Sequence, residues 1–486
     1  MQCPAESRSA FALGSSVWAA VRDRSPVSSW AETERCRKAR SHGGKLLIDY
    51  SRPVVIASFV PEDGITGVHT HIREVRRHLD RQGTPATVVT SHSWGRMLRY
   101  PVFGSGLLLR QFSSGAQVAW WRHFDKIFLR NALRRYLAKA GTCVIYAQEP
   151  LSAWAAINAR QGPHQRVVMA VHFRKSQADE AARGRVIKQD GIVFRAIRQF
   201  ERDTIPQVDG LVYVSKWARN ALMSWLPEAA DVPSAIIGNF VAPTPPPTQA
   251  YEPEPLGDLV TTGSLEPVKN HHYLLEILAE TNRAGRSLTL DIFGEGRLHK
   301  ELLEQARSLG LQDQVRFRGF RPDVRAFLPR YRAYAHASYS ESLPLAIIEA
   351  MAAGLPVIAG DIGGISELCD DGVEGRFWPL DDPAKAAAIL VGLLDDEPAR
   401  LRAATTALER FYRDSDPDVV GPRLHSFLLG TALACGPVEE RDRGQPGPVA
   451  GHSAQVRGCG GGRRDGAGRP GGEPAGVASA DAGVVP

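Results

Sequence analysis

Two glutamates, Glu341 and Glu349, stand eight residues apart in the segment SYSESLPLAIIEAMAAGLPVIAG, residues 338–360. Pro344, the apolar residues at helical spacing after it and Gly354 predict a short helix between a loop and a buried strand. Glu341 then lies in the loop and Glu349 on the helix. Because the first N–H groups of a helix lack partners, this helix start favours an anion, most naturally a phosphate.

The spacing of Glu341 and Glu349, followed by AMAAGLPVIA, resembles the nucleotide-sugar motif of the retaining glycosyltransferases of family 4, which have the GT-B fold. The sequence GGISE at residues 363–367 extends the resemblance. It implies a donor site in which Glu349 accepts hydrogen bonds from the ribose hydroxyls. It also implies that Glu341 and the amides after it hold the sugar, with Leu343 and Leu345 among the donor-binding residues.

The elements that must position these residues form two series of alternating strands and helices. The predicted strands lie at residues 54–58, 86–90, 143–147, 167–171, 211–214 and 235–237, then at 259–262, 288–294, 315–319, a strand ending at 337, and 357–359. Such alternation predicts an α/β fold with parallel, doubly wound sheets. The resemblance implies GT-B: two Rossmann-like domains that face each other across a cleft, with a C-terminal helix that crosses back.

Changes in composition along the 486 residues suggest the domain limits. Residues 1–48 and the Gly-, Pro- and Arg-rich tail at 433–486 are predicted to be disordered, because they cannot bury a core. Between them we predict an N-terminal acceptor domain, a proline-rich linker, a nucleotide-sugar domain and a crossover helix, at residues 49–240, 241–256, 257–412 and 413–432.

In the first domain, candidate residues lie where strands end or helices begin. Gly67 begins a helix after the first strand, so its backbone can approach a diphosphate closely; an ordinary turn glycine is an equal alternative. Related enzymes have two adjacent glycines here, and Thr66 replaces one. His71 resembles a histidine of the family's first helix, and packing is its favoured role. Ser215 is predicted to cap a helix.

His172 ends the predicted strand RVVMAVH at the carboxyl edge of the sheet, where open α/β sheets bind their ligands. A lone histidine at such a position is usually structural, but the resemblance favours a functional role. His172 is therefore a catalytic candidate that donates a hydrogen bond to a sugar hydroxyl or a phosphate.

The start of the second domain supplies a turn and a cation. Gly263 and Lys269 resemble a family pattern of Gly-Arg-Leu followed by a lysine, in which two cations grip the diphosphate. Lysine suits this role as a compact point charge, and Lys269 joins His172 and Glu341 as a catalytic candidate. Ser264 stands where the arginine usually is. This departure bears on donor affinity more than on the reaction type.

Two further glycines are predicted to border the nucleotide. The turn Gly294–Glu295–Gly296 lacks the third glycine of a dinucleotide fingerprint, so NAD binding is weakly supported. The resemblance implies that this turn lies beside the nucleotide, and that Gly319 and Phe320 place backbone polar groups next to the base.

Metal chemistry has little support in the sequence. Asp414–Ser415–Asp416 matches the Asp-x-Asp pattern of other glycosyltransferases, but a solvated turn is favoured. The resemblance implies no metal and no other cofactor, because lysine and helix amides neutralise the diphosphate. The six cysteines have no ligand or disulfide spacing, which fits a reducing cytosol.

Composition describes a globular protein with a net charge of +6, too small to indicate nucleic acid as a partner. No signal peptide or membrane-spanning run is predicted. One helix near residue 120 carries a basic stripe that suits the anionic inner face of a plasma membrane. A solvated face over the core is the equal alternative. The stripe consists of Arg122, Lys126, Arg130 and Arg134.

Together these observations predict a cytoplasmic, peripheral glycosyltransferase. It would move a sugar from a nucleotide-diphosphate donor to a hydroxyl of a lipid-linked or oligosaccharide acceptor, with retention, in polysaccharide or glycolipid assembly. Two alternatives stay open at this stage. One is a non-catalytic sugar-nucleotide binding protein, motivated by Thr66 and Ser264, and the other is a GT-B epimerase or phosphorylase.

Overall fold

The structure, a computed structural model, describes residues 52–60, 64, 66–93, 96–111, 113–244 and 256–430. The two ends that were predicted to be disordered, residues 1–48 and 433–486, lie outside the described residues. Most of the predicted proline-rich linker lies outside them as well.

Six parallel strands form the first sheet, in the order β2-β1-β3-β4-β5-β6. Sequences such as VVIAS and CVIYA are buried along their whole length, as expected for strands covered by helices on both faces. The strands are β1 (Val54–Ser58), β2 (Ala86–Thr90), β3 (Cys143–Ala147), β4 (Gln165–Val171), β5 (Gly210–Tyr213) and β6 (Ser234–Ile236).

Seven helices of the described residues surround this sheet. The first has Ile72, Val75 and Leu79 buried at helical spacing, which is why it packs on the sheet. The helices are α1 (Gly67–Arg81), α2 (Arg96–Arg110), α3 (Ser114–Ala140), α4 (Pro150–Ile157), α5 (Gln177–Arg183), α6 (Ile192–Thr204) and α7 (Lys216–Met223).

A second parallel sheet has the order β12-β11-β10-β7-β8-β9. Its strands are β7 (Gly257–Thr262), β8 (Leu290–Phe293), β9 (Val315–Gly319), β10 (Tyr331–His336), β11 (Val357–Ala359) and β12 (Gly375–Phe377). Its helices are α8 (His271–Arg283), α9 (His299–Ser308), α10 (Leu345–Ala352), α11 (Pro383–Asp395) and α12 (Glu397–Asp414).

The predicted GT-B fold is confirmed. Strands β1, β2, β3, β9 and β11 have the predicted limits, and the other predicted strands are present within a few residues. Strand β12 was not predicted, because its sequence GRF lacks the apolar run that marks the equally short β11, VIA. In both sheets the carboxyl ends of the strands lead into the loops where ligands of such folds bind.

The last described helix, α13 (Pro417–Leu429), returns to the first domain as predicted. Thr84 lies 2.9 Å from the ring of His425 on this helix, and the guanidinium of Arg166 donates to the carbonyl oxygen of Phe427 at 2.8 Å. Apolar residues of α13, among them Leu424, join the core between β1 and α1. The helix therefore ties the end of the described chain to the first domain.

The predicted basic stripe on α3 is wrong as a solvent-facing surface. Arg122 donates to Gln177 at 3.0 Å, and Lys126 lies 4.8 Å from the centre of a tryptophan ring on α4. Both side chains therefore pack against other helices of the first domain. Arg130 is partly buried, and Arg134 alone of the four is exposed. Among the described residues, no helix is both long and apolar enough to span a bilayer.

Candidate active site

The loop that joins β10 to α10 carries Glu341 and is fastened to the start of the second domain. The hydroxyl of Ser338 donates to the carbonyl oxygen of Val268 at 2.9 Å, and the amide of Tyr339 donates to the same oxygen. Pro344 is the N-cap residue of α10, which begins at Leu345, and Gly354 follows the last turn with a φ of +68°. These contacts place the loop beside the turn that precedes Lys269.

Glu341 and Lys269 form an ion pair. The Nζ atom of Lys269 lies 2.6 Å from Oε1 of Glu341, and Nε2 of His336 lies 3.3 Å from the same oxygen. Burial by itself would raise the pKa of Glu341, but Lys269 and His336 outweigh it and hold that pKa well below its usual range. The carboxylate is therefore ionised at neutral pH, and it can accept hydrogen bonds from hydroxyl groups.

The starts of two helices meet at the boundary between the domains. A methyl group added to Gly67 would lie 3.6 Å from Cδ1 of Leu345, which is van der Waals contact. The first residues of α1 and α10 are therefore neighbours. Unpaired N–H groups at both helix starts give this region a positive potential. The structure thus brings Gly67 of the first domain to the donor-binding candidates Leu343 and Leu345 of the second.

Glycines interlock where β7 and β8 end. Gly263 and Gly294 have φ values of +154° and +151°, and a Cβ on Gly294 would lie 1.8 Å from the carbonyl oxygen of Gly263. The amide of Gly294 donates to the carbonyl oxygen of Gly319, and the amide of Phe320 donates to Glu295 at 3.4 Å. The carbonyl group of Gly319 and the amide of Phe320, which were predicted to lie next to the base, thus form hydrogen bonds within the protein.

Glu349 lies on α10 close to charged groups of both domains. Burial raises its pKa to about 7; Glu74 adds to this rise, whereas Arg325 and Arg73 oppose it. Arg325 in turn lies 3.6 Å from Glu74 and donates to the carbonyl oxygen of Ala242. Glu349 itself is only partly buried, so it remains accessible to a ligand.

His172 lies against His71 with their rings edge to face and their centres 4.4 Å apart. Its Nε2 atom is 3.2 Å from Oε1 of Gln148, an oxygen that only accepts, so Nε2 carries the proton. Burial and the neighbouring His71 keep the pKa of His172 well below its usual value. A neutral His172 therefore offers Nδ1 to a ligand as an acceptor, whereas this histidine was predicted to donate.

Several contacts of the site were not predicted from the sequence. His336 ends β10, so the rule applied to His172 would have identified it. Arg183 of α5 donates to the hydroxyl of Ser340 at 3.1 Å across the domain boundary. The carboxylate of Glu367 accepts from the amides of Lys216 and Trp217 at 2.8 and 2.7 Å. The last two contacts join distant segments, and no local pattern indicates them.

The Asp-x-Asp sequence has a structural explanation. Asp416 caps α13 by accepting from the amide of Asp418 at 2.7 Å, and Asp414 pairs with Arg413. Within the part of the chain that the structure describes, no cluster of three or more His, Cys, Asp or Glu residues could hold a metal ion.

Two facing Rossmann-like domains with a lysine, two carboxylates and two helix starts at their boundary define a GT-B transferase. Comparison with known proteins agrees. Residues 65–244 match the family model Glycosyltransferase Family 4, and residues 249–410 match the model Glycosyl transferases group 1. The chain belongs to glycosyltransferase family 4 and is a glycosyltransferase.

Curated relatives carry out several glycosyl transfers. The glycogen synthase of Mycobacterium tuberculosis is 29% identical over 311 residues, which cover 62% of this chain and 72% of that protein. The phosphatidyl-myo-inositol mannosyltransferase of Mycolicibacterium smegmatis is 26% identical over 289 residues, which cover 58% and 69%.

Solved structures show the same fold. HepE of Anabaena in complex with UDP and glucose has a TM-score of 0.56 at 18% identity, covering 78% of this chain and 100% of that chain. Sucrose-phosphate synthase from Thermosynechococcus elongatus has a TM-score of 0.63 at 16% identity, covering 77% and 98%. At these identities the likeness concerns the fold alone.

Proposed function

We propose that this glycosyltransferase moves a sugar from a nucleoside-diphosphate donor to a hydroxyl of its acceptor, with retention of configuration. The observation that carries the proposal is the ion pair of Lys269 and Glu341 beside the meeting starts of α1 and α10. A diphosphate needs cations and amides, and a sugar needs acceptors for its hydroxyls. This arrangement offers both within one site.

In the proposed reaction the bond between the sugar C1 atom and the leaving phosphate oxygen breaks, and both electrons stay with the diphosphate. Lys269 and the helix amides stabilise this charge as it develops. Glu341 holds the sugar by accepting hydrogen bonds from the sugar hydroxyls. The acceptor oxygen bonds to C1 on the face that the diphosphate leaves, and its proton goes to a leaving phosphate oxygen. No side chain is assigned as a covalent nucleophile.

The nucleotide end of the donor would lie between Glu349 and the interlocked turns at Gly294 and Gly319. Glu349 would accept hydrogen bonds from the two ribose hydroxyls. HepE, which shares the fold, was solved with UDP and glucose, and this supports a uridine nucleotide as the first donor to test.

A direct test incubates the purified protein with UDP-, GDP- and ADP-sugars and a set of sugar and glycolipid acceptors. We expect one donor to be consumed with formation of a new glycoside, and proton NMR to show the anomeric configuration of the donor retained. The reaction is expected to proceed in EDTA, because Lys269 and amides replace a metal. Activity that is lost in EDTA and restored by manganese would contradict the metal-free mechanism.

The pKa of Glu349 predicts how donor affinity depends on pH. Ribose hydroxyls donate to the ionised carboxylate of Glu349. Because the pKa of Glu349 in the free protein is about 7, this group is mostly protonated below neutral pH and must lose its proton before it can accept these hydrogen bonds. We therefore expect the Kd of UDP-glucose to fall roughly tenfold from pH 6 to pH 8. UDP-glucose suits the titration because its diphosphate is fully ionised across this range.

The Glu349→Gln variant is the control for this titration. It cannot ionise, so its affinity should be weaker at pH 8 and independent of pH. A pH dependence equal to that of the wild type would remove Glu349 from the ribose site. The same pKa shift has a consequence for folding: a raised carboxyl pKa costs stability as the pH rises from the usual value through 7.

For the acceptor we propose a lipid-linked or oligosaccharide hydroxyl, and for the location the cytoplasm with reversible contact to an anionic inner membrane face. The relative from Mycolicibacterium smegmatis is named for a phosphatidyl-myo-inositol acceptor, which supports the lipid class. Arg122 and Lys126 take no part, because they pack inward. The exposed basic residues of α3 are Arg134, Arg135 and Lys139.

Sedimentation with phosphatidylserine vesicles tests the membrane contact. Each exposed basic residue contributes about 1 kcal/mol near such a surface, so changing Arg134, Arg135 and Lys139 to Gln should release most of the bound protein at low salt. The matched control changes three exposed residues of the second domain, Lys300, Arg307 and Lys385, to Gln. Equal pelleting of both triple variants would contradict the contact.

A further inference from the structure

The loop before α10 has three successive carbonyl oxygens held by donors from other elements, those of Glu341, Ser342 and Leu343. The amide of Gly364 donates to the first at 3.1 Å. The hydroxyl of Ser215 donates to the second at 2.8 Å, and Nδ2 of Asn239 donates to the third at 2.9 Å. Ser215 and Asn239 belong to the first domain, whereas the loop belongs to the second.

This anchoring decides where the amides of the loop point. In a trans peptide the C=O group and the following N–H group point in opposite directions. With the carbonyl groups of Glu341 and Ser342 bound, the N–H groups of Ser342 and Leu343 point away from those donors. Neither N–H group donates to a backbone carbonyl group among the described residues. They are therefore available to a donor molecule beside the Glu341 carboxylate.

Asn239 also joins the loop to the histidines of the first domain. Its Nδ2 must face the carbonyl oxygen of Leu343, which only accepts, so its Oδ1 faces Nδ1 of His71 at 3.1 Å. Nδ1 then carries the proton, and Nε2 accepts from the hydroxyl of Tyr146 at 3.2 Å. The three hydrogen bonds that link Tyr146, His71, Asn239 and Leu343 therefore all donate in the same direction, from Tyr146 towards Leu343. His71 in turn packs against the ring of His172.

We propose that Asn239 and Ser215 are positioning residues of the donor site. They do not touch the donor. Ser215 holds the carbonyl group of Ser342 and so aims the N–H group of Leu343 at the donor. Asn239 holds the carbonyl group of Leu343, and because the next residue, Pro344, has no N–H group, it positions the start of α10 rather than a loop amide. The donor site thus includes residues of the first domain that are remote from it in sequence. This inference rests on the proposed nucleoside-diphosphate donor.

The Asn239→Asp variant tests the role of Asn239 with almost no change in shape. Aspartate still accepts from His71 but cannot donate to Leu343, and its charge repels that carbonyl oxygen. We expect UDP, GDP or ADP, whichever binds the wild type most tightly by calorimetry, to bind at least tenfold more weakly. We also expect NMR titration to show a raised pKa for His71, because a carboxylate beside Nδ1 stabilises the imidazolium.

Gln165→Ala is the matched control. Gln165 is a fully buried amide at the amino end of β4, and it donates to the carbonyl oxygens of Leu137 and Gly141 at 2.9 and 3.0 Å. Its loss should lower the melting temperature without weakening nucleotide binding. If Asn239→Asp binds the nucleotide as tightly as Gln165→Ala does, the positioning role is wrong. If the wild type binds none of the three nucleotides, the proposed donor fails first, and this inference falls with it.

Ser215 needs its own pair of variants, because its hydroxyl also caps α7 by accepting from the amide of Ala218 at 3.0 Å. Ser215→Ala removes both the cap and the donor to Ser342. Ser215→Asn keeps an accepting oxygen for the cap and supplies an N–H donor. We expect Ser215→Ala to weaken nucleotide binding at least fivefold and Ser215→Asn to restore most of it. Equal affinities of Ser215→Ala and the wild type would overturn the role of Ser215.

Discussion

Replacing Lys269 with methionine is expected to lower kcat for sugar transfer at least 100-fold. Methionine keeps much of the length of the side chain but removes the charge 2.6 Å from Glu341. Groups that stabilise developing charge in a site shielded from water typically contribute about 100-fold to 1,000-fold to kcat. The segment from Gly263 to Lys269, GSLEPVK, has no cation besides Lys269, so no second cation of that turn can compensate.

Lys300→Met is the control for general effects of losing a lysine, because Lys300 is exposed on α9 and pairs only loosely with Glu304 at 3.8 Å. The rate is measured with saturating donor, and melting curves establish that both variants are folded. Lys269→Arg should recover part of the rate, since it keeps the charge but not the compact shape. A wild-type kcat in folded Lys269→Met would show that Lys269 does not stabilise the leaving group.

Replacing Gly294 with alanine is expected to abolish measurable donor binding and to destabilise the second domain. The new Cβ would lie 1.8 Å from the carbonyl oxygen of Gly263, and backbone on both sides leaves neither group a way to yield. The φ of +151° is one that side chains rarely adopt, which by itself costs about 1–3 kcal/mol. The turns of Gly263 and Gly294 must move apart to make room for the new Cβ atom, and this movement disrupts the proposed nucleotide site.

Gly285→Ala is the matched control, because Gly285 also has a positive φ, +77°, but a Cβ there would have no atom within 4 Å. It carries the conformational cost without the overlap. Chemical denaturation and nucleotide titration of both variants separate the two effects. If Gly294→Ala and Gly285→Ala have the same stability and the same affinity, close packing of the turns has no importance for the site.

Local sequence patterns were sufficient to predict most of the secondary structure and the class of fold. Buried strands such as β1 and β3 are continuous apolar runs bounded by turn residues, and α10 has Pro344 before it and Gly354 after it. These signals are local, because they depend on backbone preferences and on burial of one short segment. The donor motif around Glu341 and Glu349 is local as well, and it was sufficient to indicate the family.

The partners of the site residues were decided by the tertiary structure. Lys269 and Glu341 are 72 positions apart, and the sequence singled out both without predicting that they form an ion pair. Asn239 and Leu343 are 104 positions apart. Such contacts depend on how two sheets place their loops, and no periodic pattern records a distance between segments. The same reason explains why the contacts of Arg183 and Glu367 were not predicted.

Helix α3 shows the limit most clearly. Its sequence determined a helix with basic residues on every fourth position, but it could not determine which face other elements would cover. In the structure Lys126 lies over the rings of Trp154 and Phe200, and Arg122 lies 5.9 Å from the centre of the Phe200 ring. Aromatic faces attract cations and cover their alkyl chains. Those faces come from α4 and α6, so only tertiary packing decides that these two basic residues point inward.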